Sequence, residues 1–318
     1  MFDGLSALTY LSISKDPIVS IDRDAFKALP SLRRLCLEDI DVEDFLPKCS
    51  SSLKNVYSLT FRNSTLKQLK KGMFAEMKQL RLLHLEENHI RFIEPGAFDG
   101  LDDLEGLSLH QNNLSKIVRD TFTGLQKLEW LILSENRITS IGPTTFELLP
   151  NLRYLYLGSN KLTKFKGNTF IKTPNLLFID LSNNNIKSLP YDIFKSLTYL
   201  YHLNLNSNNF KKLKKGSIPA VYKLNDLNLN QNNINEIEPG TFEDFEYLVD
   251  LDLSNNTLKH VNAEMFQGLT RIYSINLEYN EISDLNPDVF DNFPTLKRVS
   301  LEGNRLDSKI MEVMQEKL

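Results

Sequence analysis

Residues 200–210 read LYHLNLNSNNF. Leu203 and Leu205 alternate with His202 and Asn204, the period-two pattern of a short strand with one buried face. The string returns 24 residues later as LNDLNLNQNNI (224–234), and 24 residues earlier it stands as LLFIDLSNNNI (176–186). Stepping by 24 in both directions gives thirteen units, starting near 8, 32, 56, 80, 104, 128, 152, 176, 200, 224, 248, 272 and 296, with no insertion or deletion. One unit cannot bury its own leucines, but the next turn covers them. The repeat therefore predicts one solenoid domain over 1–318, with parallel strands about 4.8 Å apart lining its concave face.

Two further columns run through the units. Asparagine holds the ninth position in ten successive repeats, from Asn88 and Asn112 to Asn280 and Asn304. The chain leaves the strand there, and a buried amide that both donates and accepts can replace the lost backbone bonds. Phenylalanine holds the nineteenth position, from Phe2 and Phe26 to Phe290, broken only at Ser50 and Ile218. Rings at one level of a solenoid are core. The second repeat is the weakest, with Ile40 for the ladder asparagine and Ser50 for the ring, so a distorted turn is expected near 41–54.

The pattern LxxLxLxxNxL is the leucine-rich repeat signature. With LxxLxxxxFxxL in the second half, each unit resembles the 24-residue "typical" subtype found in Toll-like receptor ectodomains, small proteoglycan cores and insect leucine-rich immune proteins. The resemblance covers essentially the whole chain. It implies an α/β horseshoe with a largely irregular or 3-10 convex side, and a non-catalytic recognition module in an extracellular receptor or secreted immune or adhesion protein. Two alternatives stay open: a scaffold that self-associates, and an intracellular adaptor. Relatives close both ends with cysteine-bearing caps. Here Phe2 already sits in the ring column, so a fragment of a longer protein, or a gene sequence missing its first exon, is expected. Residues 307–317 carry Ile310, Val313 and Met314 at helical spacing, and a capping helix is expected there.

Binding residues are sought at positions three, five, seven and eight, which face the concavity. Trp130, Tyr154 and Phe178 follow one another in the third column, with Ile132 and Tyr156 beside them in the fifth and Tyr201 nearby. An exposed aromatic patch is a partner surface where Trp and Tyr act as anchors, although aromatics also simply suit strands. Beyond it lies a polar, acidic area. His202, Asp226 and Asp250 occupy the third column, Asp180, Asn204, Asn228 and Asp252 the fifth, and Glu278 the seventh. Asp226 beside Asp250 is unfavourable without a partner, which suggests a basic protein ligand or a cation. Asn206 also faces the concavity. On the outer flank, Lys212 and Lys214 share columns with Glu236 and Glu238, whereas Lys211 and Lys215 have no such neighbour.

Glu86 and His110 share a column, and their side chains are expected within about 5 Å. His84, Glu86, Glu87 and His110 supply too few converging ligands for a metal site. No nucleophile elbow, phosphate loop or HExxH helix is present, so neither an enzyme nor a cofactor is expected. The net charge of −4 gives no overall pull toward nucleic acid, and no apolar run suits membrane insertion. The opening residues show no signal peptide. Sequons at Asn63, Asn113 and Asn255 fit a glycoprotein. Cys36 and Cys49 are expected reduced. A homodimer, or a complex with another leucine-rich repeat protein, is compatible with the resemblance.

Overall fold

The computed structural model describes residues 2–15, 18, 21–40 and 49–317. The chain divides into two compact units, Met1–Lys161 and Leu162–Leu318. In the first, seven strands follow the repeat: Tyr10–Ser14, Arg34–Glu38, Ser58–Arg62, Leu82–His84, Gly106–Ser108, Trp130–Ile132 and Tyr154–Tyr156. In the second there are six: Phe178–Asp180, His202–Asn204, Asp226–Asn228, Asp250–Asp252, Ser274–Asn276 and Arg298–Ser300. Within each unit, neighbouring strands pair in parallel with partners 24 residues apart, such as Trp130 with Tyr154 and Asp226 with Asp250. The leucine-rich repeat solenoid expected from the period is thus present in both.

The asparagine column works as a ladder. Asn112 Nδ2 donates to the carbonyls of Leu85 at 2.9 Å and of Leu109 and His110 at 3.2 Å, and its Oδ1 accepts from Ile90 N. One amide thereby satisfies groups on its own turn and the turn before. In the third repeat Ser64 takes the place of asparagine, and its hydroxyl accepts from Ile40 N. The ring column is buried and stacked, with Phe74–Phe98 centroids 6.2 Å apart and Phe170–Phe194 6.1 Å apart.

The residue just before the ladder position is left-handed in every repeat. Glu87, Gln111, Glu135, Ser159, Asn183, Ser207, Gln231, Asn255 and Tyr279 all have φ between 50° and 55°. This conformation costs an L-residue about 1–2 kcal/mol. It is held by a backbone bond to the next turn, as from Asp39 N to Arg62 O and Glu87 N to His110 O, and it occurs at Lys15, Asp39 and Asn63 as well, where no ladder asparagine follows. Glycine takes the position once, at Gly303.

The far side of the units carries short 3-10 segments, including Arg119–Phe122 and Ala263–Phe266. The capping helix forms as Ser308–Lys317, with Met314 buried. Of the turn expected to be distorted, 41–48 lie outside the described residues, and Ser50–Leu53 form a 3-10 turn. No helix among the described residues is long and apolar enough to cross a membrane.

Candidate functional site

In the first unit the indole of Trp130 lies across the neighbouring strand. A Cβ added to Gly106 would fall 2.5 Å from its ring. Beyond Gly106 the indole meets the His84 ring, centroid to centroid 6.2 Å. Trp130 therefore folds down onto its own sheet over the gap that glycine leaves, and it is only part exposed. Tyr154, Ile132 and Tyr156 are half-buried in the same manner.

The expected Glu86–His110 pairing is replaced. His84 Nδ1 bonds Glu86 Oε1 at 2.9 Å, and His110 Nε2 approaches Glu135 Oε1 at 3.7 Å. Positions five and seven of one strand share a face, so His84 reaches Glu86 without crossing to another turn. Burial alone would raise the Glu86 carboxyl, but hydrogen bonding to His84 and Ser108 outweighs it and holds the group below its ordinary value. Among the described residues no three His, Cys, Asp or Glu side chains converge to hold a metal ion. Cys36 is half-buried and Cys49 buried, and no disulfide joins the two.

In the second unit the third column forms the floor of a recess of about 380 Å³, lined by His202, Asp226, Asp250, Asp252, Glu278 and Arg298 among others. His202 stacks on Phe178 with centroids 4.5 Å apart and planes within 4°. Its Nδ1 faces Asp226 Oδ1 at 3.4 Å. Burial first, then the Asp226 carboxylate, push the Asp250 carboxyl above the ordinary range, while Arg298 pulls the other way. An ionised Asp250 costs stability above that raised value, and the cost disappears below the ordinary value of an unfolded aspartate, about 3.9. Asp250→Asn is expected to raise the thermal midpoint near neutral pH and to leave it unchanged below about pH 3. An equal gain at both would show that charge is not the cause.

The fifth column of this unit has a job the sequence reading did not assign. Asp180 Oδ1 accepts from Ser182 N, Asn204 from Asn206 N, Asn228 from Asn230 N, Asp252 from Ser254 N and Asn276 from Glu278 N, all between 2.9 and 3.1 Å. Each closes the strand with a side-chain turn two residues long. The signal was available as Asp or Asn at five consecutive equivalent positions. Asn206, at the seventh position, differs, because its Oδ1 is buried with no hydrogen-bond partner among the described residues. Tyr201 stands one residue ahead of its strand, exposed.

On the outer flank, Lys212 Nζ sits 2.9 Å from both Glu236 and Glu238, taking the partner expected for Lys214. Lys215 bonds Glu243 at 2.6 Å, although it was expected unpaired. Lys212 lies on the short strand Lys212–Leu213, in register with Glu236–Ile237, so it reaches both carboxylates first. The opposite flank carries tyrosines that the column reading passed over. Tyr222 and Tyr247 lie 5.1 Å apart, and the Arg271 guanidinium stands 4.3 Å from the Tyr247 ring. Of the sequons, Asn63 and Asn255 are exposed and Asn113 is half-buried.

The chain is similar in fold to a chain of the Drosophila Toll–Spatzle complex, at 22% identity and TM-score 0.87, with 99% of this chain on 42% of that one. A chain of the TLR13–ssRNA13 complex aligns at 24% identity and TM-score 0.83, with 94% of this chain on 44% of that one. A leucine-rich repeat protein of Leptospira interrogans aligns at 21% and 0.80, with 99% on 89%. The chain thus spans less than half the length of the first two. No curated protein matches it. The leucine rich repeat model matches residues 54–114, 104–162, 150–210, 198–258 and 246–306. Those spans carry eleven of the thirteen strands and all ten ladder asparagines described above, and the chain belongs to the leucine rich repeat family.

Proposed function

We propose that the chain is a non-catalytic recognition module of the extracellular typical subtype, and that the open face of its second unit binds a basic protein ligand. The observation that carries this reading is the row His202, Asp226, Asp250 in the recess, where two carboxylates stand in register and one is raised. A lysine or arginine of a partner would relieve the repulsion and gain a charge-assisted hydrogen bond. The fifth-column side chains Asp180, Asn204, Asn228 and Asp252 hold the row in place. His202 lines the recess and is itself stacked on Phe178 behind it. Trp130, Tyr154 and Tyr156 offer a second, flatter surface on the first unit.

The fold likeness to a chain solved with Spatzle supports a protein ligand, and the exposed sequons Asn63 and Asn255 support an extracellular setting. To test the reading, a displayed peptide library is panned on the wild-type chain and on the Asp226→Asn/Asp250→Asn variant. Enrichment of Lys- and Arg-containing peptides is expected on the wild type and at least about tenfold less on the variant, the loss of one charge-assisted contact. No charge bias on the wild type would overturn the proposal.

A further inference from the structure

The net charge of −4 conceals a sharp partition. Residues 162–223 hold ten lysines, no arginine, and only two acidic residues, Asp180 and Asp192, a net of +8. The remainder therefore carries 27 basic and 39 acidic residues, a net of −12. At the chain's mean density about eight acidic residues would fall in the span, and an ordinary solvated surface mixes both signs.

Position in the repeat is as uneven as sign. Seven of the ten lysines lie at unit positions twelve to sixteen, the flank just past the ladder asparagine: Lys164, Lys166, Lys187, Lys211, Lys212, Lys214 and Lys215. Lys187 and Lys211 are equivalent residues of successive turns, and Lys166 and Lys214 are equivalent two turns apart. Lys212 and Lys215 are already neutralised by Glu236, Glu238 and Glu243. Lys164, Lys166, Lys187, Lys211 and Lys214 are exposed, and no ion pair engages them among the described residues. The stripe stops at the next turn, where the equivalents of Lys212 and Lys214 are Glu236 and Glu238. Turns stack about 5 Å apart, so a linear ligand lying along the flank meets lysines from three consecutive repeats over roughly 10 Å.

We propose that this flank binds a sulfated polysaccharide, independently of the recess on the open face. A single-sign field raises the local concentration of a polyanion and releases its counterions on binding. Two features favour a sulfated chain over nucleic acid. The span has no arginine, the side chain that forks onto the edge of guanine, so it offers no such base readout. Tyr191 is the one aromatic at these flank positions that is strongly exposed, at 83%, so bases find no run of rings to stack on.

Calorimetric titration of the full chain with a heparin octasaccharide, across a range of salt, tests the proposal. Binding is expected to weaken steeply with salt. The Lys164→Gln/Lys187→Gln/Lys211→Gln/Lys214→Gln variant should bind at least about tenfold more weakly, with a shallower salt dependence. A control variant with the same change of charge elsewhere, Lys70→Gln/Lys71→Gln/Lys116→Gln/Lys309→Gln, should bind like the wild type. An equal loss in both variants, or none in the first, would overturn the site. Tighter binding of a single-stranded RNA than of the octasaccharide would overturn the choice of ligand. All eight positions are exposed, and a thermal melt of each variant confirms that it folds.

Discussion

Asn232→Ala is expected to destabilise its unit by about 3–5 kcal/mol, read from urea unfolding. The Nδ2 of Asn232 donates to the carbonyls of Leu205, Leu229 and Asn230 at 3.0, 3.0 and 3.2 Å, and its Oδ1 accepts from Phe210 N at 3.2 Å. Alanine removes every one of these bonds and leaves the buried backbone groups unpaired, at about 1–3 kcal/mol each where water cannot reach. The loss spans two turns, because Leu205 and Phe210 belong to the preceding repeat. Asn232→Ser provides an internal comparison. Ser64, at the equivalent position, still accepts from Ile40 N and donates to Arg62 O. Serine should therefore recover part of the loss. A cost below about 1 kcal/mol for alanine would mean that water replaces the ladder.

The second large effect is expected at Phe194. Its ring is 1% exposed and stacks on Phe170 with planes 12° apart. Phe194→Ala leaves a cavity that the rigid turns on either side cannot close, at about 3–5 kcal/mol. Phe194→Ile should cost clearly less, since Ile218 fills the equivalent place one turn on and is itself 1% exposed. Equal losses for the two variants would show that ring stacking, not filled volume, stabilises the column.

The fold was legible because the 24-residue period returns the strand pattern thirteen times and the ladder asparagine ten times, and stacked turns satisfy both at once. The left-handed residue before the ladder was not legible. Its occupants include Glu87, Ser159, Gln231 and Tyr279, which share no side-chain chemistry. The conformation belongs to the position in the turn, since Asp39 and Asn63 adopt it ahead of Ile40 and Ser64, and not to the residue that occupies it. The recess was half legible. Columns placed Asp226 opposite Asp250, but showed neither Arg298 lowering the Asp250 carboxyl across the sheet nor His202 lying flat on Phe178. Both depend on where flexible or planar ends settle, which spacing does not encode. The same limit explains the lysines. The sequence assigned carboxylates to Lys212 and Lys214 by column, whereas Lys212 took both and Lys215 found Glu243.

The ladder has a consequence for how such a chain can change length. Asn208 and Asn232 both reach back 27 residues for a carbonyl and accept from an amide 22 residues behind. Every bond is thus addressed by offset alone, and no residue depends on its absolute place in the chain. Tandem duplication of one 24-residue segment carries donors and acceptors along together, and the new turn finds its bonds ready-made. Insertion or deletion of a single residue misregisters every ladder bond whose 22- or 27-residue span crosses it. Inheritance in this chain is therefore tolerant of large, whole-turn events and intolerant of small ones, the reverse of what a surface loop accepts.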